Sequence, residues 1–99
     1  MQHDYPERFD RDMGCSEAEW LGWMPRALGA YSWQREGSTI TVALGEGRLT
    51  LAWQPLPERR IALLCMQRLL VRFEFEGLDA EQRKAFMKPF DLSLQRGGG

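Results

Sequence analysis

The 99 residues of this chain suffice for one domain with a single core, and they fall short of the roughly 150 residues per domain at which a second becomes common. The composition, 43% hydrophobic and 27% charged residues, is typical of a folded globular protein and excludes a chain that is disordered throughout. The formal net charge of -1 lacks the basic surface expected of a protein that binds duplex DNA. We therefore expect one folded domain with no duplex DNA partner.

The N-terminal sequence has no basic segment followed by an apolar run, and no stretch of the chain approaches the roughly 18 apolar residues of a membrane span. This pattern favours a cytoplasmic protein without a membrane partner. Cys15 and Cys65 are far apart, and neither belongs to a C-x-x-C motif. We accordingly predict no metal site and no cofactor.

The first half of the chain predicts a short helix between an irregular segment and several strands. Residues 1–15 lack periodicity, which predicts a flexible N-terminal arm, extended or poorly ordered, with Tyr5 and Phe9 as its contacts to the body. Ser16 and Glu19 have the spacing of a capping box, so a short helix should begin there and end before Pro25. The alternation over residues 28–34 predicts a first strand.

Residues 39–54 give the clearest pattern in the chain. Apolar and polar residues alternate in TITVAL and again in RLTLAWQ, and Gly45-Glu46-Gly47 between them supplies glycines suited to a short loop. The pattern predicts an antiparallel hairpin.

Residues 58–70 permit two interpretations. Pro57, Glu58 and the apolar spacing that follows fit a helix. A strand would instead run from Ile61 to Met66, with a turn at Gln67-Arg68. The strand is favoured because residues 69–76 alternate and need an antiparallel neighbour, although the earlier hairpin could also supply it.

The C-terminal part predicts a helix and a tail. Asp79 and Gln82 form a second capping pattern, which predicts a helix through Lys88 with Ala85, Phe86 and Phe90 on its buried side, ended by Pro89. Residues 90–95 alternate and suggest a short strand or an extended strap.

Taken together, these elements predict an α+β domain: an antiparallel meander of four to five strands, with a C-terminal helix packed on the sheet and a short N-terminal helix. The predicted organisation is an arm over residues 1–15, a single domain over 16–95 and a flexible glycine tail over 96–99.

Catalytic constellations are missing from the sequence. His3 is the only histidine, and it lies in the predicted arm, away from both cysteines. The serines lack the contexts known for nucleophiles, so we predict no catalytic residue.

The ending Leu94-Gln95-Arg96-Gly97-Gly98-Gly99 resembles the exposed di-glycine tails of ubiquitin-like modifiers and sulfur carriers. That resemblance implies a carrier or modifier that uses its terminal carboxylate. Those families place a helix after an initial hairpin and follow it with more strands, whereas most strands here precede the only substantial helix. A third alternative is a small-ligand binder that uses the tryptophan-rich surface of Trp20, Trp23, Trp33 and Trp53.

The leading hypothesis concerns Ala62, Leu64, Met66 and Leu70, which the strand interpretation places on one face, away from Ile61, Leu63 and Cys65. A half-buried antiparallel strand is normally polar on one face, so this apolar face needs a cover. The chain's own C-terminal helix or another chain would provide it. The sequence therefore predicts a small non-catalytic interaction or accessory module, with a protein partner or a homodimer at these four residues.

Overall fold

A computed structural model describes residues 5–96 as a five-stranded antiparallel sheet with two helices, which confirms the predicted α+β class. In chain order the elements are β1 (Arg8–Met13), α1 (Glu17–Ala27), β2 (Trp33–Glu36), β3 (Thr39–Leu44), β4 (Gly47–Ile61), β5 (Leu64–Glu76) and α2 (Ala80–Arg96). The strand order is β1-β5-β4-β3-β2. Strands β2 to β5 thus form the meander, and β1 lies beside the last strand.

The core lies between the helices and one face of the sheet, called here the core face. In β4 and β5 every second side chain points to it, and the register pairs Leu51 with Phe73 and Trp53 with Val71 across the two strands. The buried side chains that meet them from the helices and their caps are Trp20, Met24, Leu28, Phe86, Met87, Phe90 and Leu94. The opposite side of the sheet, the open face, carries alternating residues such as Thr41, Arg48 and Arg72, which are exposed.

The prediction of an irregular, flexible arm over residues 1–15 is wrong for Arg8–Met13, which form the edge strand β1. The ring of Phe9 stacks on Phe73 at 4.6 Å, and the Arg11 guanidinium donates two hydrogen bonds to Asp91 of α2. The sequence pattern fails here because charged Arg11 takes the inward position between Phe9 and Met13, which breaks the alternation, and its partner Asp91 is adjacent only in the folded chain. Residues 1–4 lie outside the described part.

Helix α1 begins as predicted and ends later. The Ser16 hydroxyl accepts a hydrogen bond from the Glu19 amide at 3.1 Å, and the Glu19 carboxylate accepts one from the Ser16 amide at 2.9 Å. The helix continues past Pro25 to its C-cap at Leu28, whose backbone amide donates a hydrogen bond to the Met24 carbonyl at 2.8 Å and whose side chain is buried. The strand predicted over residues 28–34 is therefore wrong in its position, since β2 begins only at Trp33.

Helix α2 also continues beyond its predicted end. The Asp79 and Gln82 cap is present, with hydrogen bonds of 2.8 and 2.9 Å in the two directions. Pro89 lies inside the helix, and residues 90–95 are helical rather than a strand. Burial of Phe90 and Leu94 on the core face offsets the roughly 3 kcal/mol that an interior proline costs. Ala85 is exposed, so its predicted burial is wrong, whereas Phe86 and Phe90 are buried as expected.

Residues 58–70 form strand and not helix, which confirms the favoured interpretation. The turn is at Ala62-Leu63 rather than at Gln67-Arg68, because Ile61 pairs with Leu64. Ala62 has a positive φ of 55°, the sign that two-residue hairpin loops need at their first position.

Candidate interaction surface at the hairpin tip

Strands β4 and β5 extend together beyond the rest of the sheet. The register of β3 with β4 stops at Ala52, and that of β1 with β5 stops at Leu69. Residues 57–67, called here the hairpin tip, pair only with each other and are exposed throughout. The hairpin tip therefore projects from the body as a two-stranded ribbon.

A bulge at the base of the hairpin tip determines which side chains share a face. Leu56 pairs with Arg68 and Arg59 pairs with Met66, so residues 57 and 58 together oppose the single residue Gln67. The bulge keeps Leu56 and Arg59 on the same side, although three positions separate them. Pro57 is tolerated in the bulge because the ladder is already interrupted there.

The open face of the hairpin tip carries a group of apolar side chains beside Arg59. Residues directly opposite each other in an antiparallel pair point to the same side, so Ile61 and Leu64 lie together, and Met66 lies next to them on β5. Their exposed fractions are 55% for Ile61, 65% for Leu64 and 45% for Met66, and Leu63 in the turn is fully exposed at 100%. Four large apolar side chains thus meet solvent at the end of one small domain.

The predicted partner-binding residues are brought together only in part. Leu64 and Met66 are neighbours on the open face of the hairpin tip, whereas Ala62 is in the turn. Leu70 has the same side-chain direction but lies four residues from Met66, half-buried in the body of the sheet, where it pairs with Asp12 and Gln54.

Ile61 and Leu63 belong with this surface, so the prediction that they face away from Leu64 and Met66 is wrong. That prediction depends on one continuous strand over residues 61–66, in which odd and even positions lie on opposite faces. The turn at Ala62-Leu63 returns the chain and places Ile61 beside Leu64. The positive φ of Ala62 has no marker in the sequence, since neither Gly nor Asn stands there.

The cover expected from the C-terminal helix is not present on Leu64 and Met66. Helix α2 packs on the core face, where Phe90 meets Phe73 edge-on at 5.9 Å. Leu64 and Met66 follow the other alternation of β5 and remain exposed. The chain's own C-terminal helix is therefore excluded as the cover of these two residues.

Charges around the hairpin tip are mainly basic. Arg59 and Arg60 are exposed on β4, and Glu58 precedes them. Arg68 at the base is occupied by the chain itself, since its Nη2 donates to Asp12 at 2.5 Å. This ion pair lowers the pKa of the Asp12 carboxyl below its ordinary value, chiefly through the hydrogen bond from Arg68. The apolar side chains are thus adjacent to two exposed arginines, Arg59 and Arg60.

A shallow cleft lies on each side of the base of the hairpin tip. One, of about 250 Å³, is lined on the core side by residues that include Cys15, Glu17, Glu58 and Gln67. The other, of about 220 Å³, is lined by Asp12, Gly14, Arg59, Met66 and Arg68. Both clefts are open to solvent, and the second adjoins the apolar side chains through Met66.

The described residues were compared for groups that could bind a metal or act as a nucleophile. Within residues 5–96, no three His, Cys, Asp or Glu side chains cluster closely enough to hold a metal ion. Burial raises the pKa of the Cys15 thiol to about 11, so it is protonated near neutral pH and is a poor nucleophile. Cys65 is exposed on the hairpin tip.

The tryptophans do not form one shared surface. Trp20 and Trp53 are buried in the core with their rings 5.9 Å apart, and the Trp53 indole donates a hydrogen bond to Glu17 at 2.8 Å. Trp23 and Trp33 are half-buried. The glycines at the C-terminus, on which the carrier hypothesis depends, lie outside the described residues.

Neither described helix is long and apolar enough to cross a lipid bilayer. No protein-family model matches the chain, and no curated protein is detectably similar to it in sequence.

Proposed function

We propose that this chain is a non-catalytic interaction module that binds another protein molecule through the hairpin tip. One observation carries the proposal: Ile61, Leu63, Leu64 and Met66 are exposed together on a ribbon that contributes no side chain to the core. Burying one Leu, Ile or Met side chain contributes about 1.5 to 3 kcal/mol, so a partner that covers these four gains a substantial binding free energy.

The position of the apolar residues supports binding rather than folding as their role. Residues that stabilise the domain are buried against the helices, as Phe73 and Phe90 are. The hairpin tip lies beyond both neighbouring strands, and all its residues are exposed. Contiguous exposed apolar side chains with charged residues beside them, here Arg59 and Arg60, are typical of protein interaction sites.

A Leu64→Glu substitution tests the proposal, because it places a charge at the centre of the apolar surface without touching the core. Leu92→Glu is the matched control, since Leu92 is 52% exposed but lies on α2. We expect Leu64→Glu to abolish self-association or capture of a purified partner, measured by light scattering and by affinity capture, and Leu92→Glu to leave both unchanged. If Leu64→Glu leaves oligomeric state and partner capture as in the wild type, the proposal is wrong.

A further inference from the structure

The sheet has four strand edges that no neighbour covers within residues 5–96, and three of them are protected. The outer edge of β1 carries Arg8, Asp10, Arg11 and Asp12. The outer edge of β2 is only four residues long and includes Arg35 and Glu36. Charges and short length are the usual means by which proteins prevent unwanted pairing at a sheet edge.

The third edge is the part of β4 beyond β3, and prolines protect it. The Trp53 amide donates a hydrogen bond outward, to the Ser38 carbonyl at 3.1 Å. Because backbone groups alternate in direction along a strand, the next outward position is Pro55, which has no amide hydrogen. Pro57 and the bulge follow it.

The fourth edge, that of β5 beyond β1, has no such protection. The Phe75 amide donates outward to the Glu7 carbonyl at 2.7 Å, so the same alternation directs the amides and carbonyls of Cys65 and Gln67 outward. Residues 64–67, LCMQ, contain no charge and no proline. Among the described backbone hydrogen bonds outside the ladders, none involves Cys65 or Gln67.

From these observations, and resting on the function proposed above, we infer that the partner is a second copy of this chain, joined by antiparallel pairing of β5 with β5 about a two-fold axis at Met66. In this register Cys65 of each copy faces Gln67 of the other. Each such pair exchanges two backbone hydrogen bonds, so all the free outward groups of both residues are used. Met66 faces its own counterpart as a non-hydrogen-bonded pair.

The end of β1 and the nearby charges are compatible with this register. The pairing needs residues 64–68, and the register of β1 with β5 ends at Leu69, so β1 does not itself pair with these residues. Gly14, which follows β1, has no atom within 4 Å of the place where a Cβ would be. Arg68 faces Leu64 of the other copy, and its charge is already paired with Asp12. Arg59 and Arg60 lie on β4, one strand away from the axis.

Side chains add to the backbone pairing. Leu64 and Met66 of both copies lie on the open face, next to Ile61 of each chain, and form one continuous apolar strip across the axis. Because the contact is confined to one short strand segment and these side chains, it is smaller than a standard interface. The dimer should therefore be weak and dependent on concentration.

The first test measures the mass of the intact chain by light scattering over a concentration series. We expect the mass to rise from the monomer value of 11.5 kDa toward twice that value. Gln67→Pro removes one outward amide from each copy and, at an edge position, none from the β4–β5 ladder. This variant should remain monomeric with an unchanged circular dichroism spectrum, whereas the control Leu92→Glu should dimerise like the wild type.

The second test locates the axis. In a Cys65→Ser background, Met66→Cys places two thiols directly opposite each other, about 4.5 Å apart at the Cα atoms, within disulfide range. Diamide, which accepts the two electrons and two protons, should convert this variant to a covalent dimer. Leu64→Cys in the same background is the control, since its two thiols lie roughly 13 Å apart along the strands and should stay unlinked.

A wild type that stays monomeric at every concentration would overturn the inference, as would a dimer that Gln67→Pro leaves intact or a faster cross-link at residue 64 than at residue 66. The proposed function fails separately. If the chain is monomeric but Leu64→Glu abolishes capture of a different protein, the self-pairing is wrong and the interaction module stands. If neither the oligomeric state nor the capture of another protein depends on Leu64, both the self-pairing and the interaction module are wrong.

Discussion

Removing the hairpin tip should separate binding from folding. Leu56 and Arg68 pair across β4 and β5, so residues 57–67 can be replaced by Asn-Gly, which closes a two-residue hairpin loop between them. The variant keeps the bulk of the sheet, both helices and every buried core residue.

The expected loss of stability is small. All the removed side chains are exposed, so their removal exposes little new apolar surface. The hydrogen bond from Arg68 to the Pro57 carbonyl, 3.3 Å long, is lost, and a bond of this kind contributes about 0.5 to 1.5 kcal/mol. Asn-Gly is a favourable loop and removes the strained Ala62, which offsets part of the loss. We therefore expect the free energy of unfolding to change by no more than about 1 kcal/mol.

Urea denaturation followed by tryptophan fluorescence measures this quantity, because the buried rings of Trp20 and Trp53 report on the core. The same variant should lose the self-association or partner capture of the wild type. If the free energy of unfolding falls by more than about 3 kcal/mol, the size seen for core truncations, the hairpin tip stabilises the domain. Binding and folding would then not be separable in this way.

Three further predictions concern the core, pH and the turn. Phe90→Ala should lower the free energy of unfolding by about 3 to 5 kcal/mol in urea denaturation, whereas Leu92→Ala, at an exposed position of the same helix, should change it by less than about 1 kcal/mol. A similar cost for both would contradict the packing of α2. The Cys15 thiol has a pKa of about 11 in the folded chain, against an ordinary value of 9.0. The buried neutral thiol therefore stabilises the folded chain fully below pH 9, and this stabilisation is lost as the pH rises to 11. The free energy of unfolding should decrease by on the order of 2 to 3 kcal/mol over this range in the wild type and not in Cys15→Ala. If it changes equally with pH in the two proteins between pH 8 and 11, the thiol is not buried. Ala62→Gly relieves the positive φ and should stabilise the turn by roughly 0.5 to 1 kcal/mol, seen as severalfold slower hydrogen exchange of the Leu64 amide. Faster exchange would mean that the turn has another conformation.

Much of the fold could be predicted because it depends on local patterns. The period-two alternation in residues 39–54 and 69–76 predicts strands with one buried face, and the structure buries Ile40, Leu51 and Phe73 on that face. Ser16 and Asp79 predict the helix starts, since a cap is satisfied by residues within one turn.

Helix ends and the edge strand could not be predicted in this way. Pro25 and Pro89 are local signals to stop, but burial of Leu28, Phe90 and Leu94 against the sheet offsets their cost. Strand β1 depends on partners more than 55 residues away, such as Arg72 for Asp10. No pattern within the strand identifies them.

For the candidate site, the sequence by itself determined that residues 58–70 carry more apolar side chains than a sheet with one buried face needs. Leu64 and Met66 are among them. Only the tertiary structure decided which side chains share a face, because that depends on where the hairpin turns and on the bulge beside Pro57. It also decided that α2 covers the other face of the sheet. Side-chain alternation is a local property of a strand, whereas register and coverage depend on residues far apart in the chain.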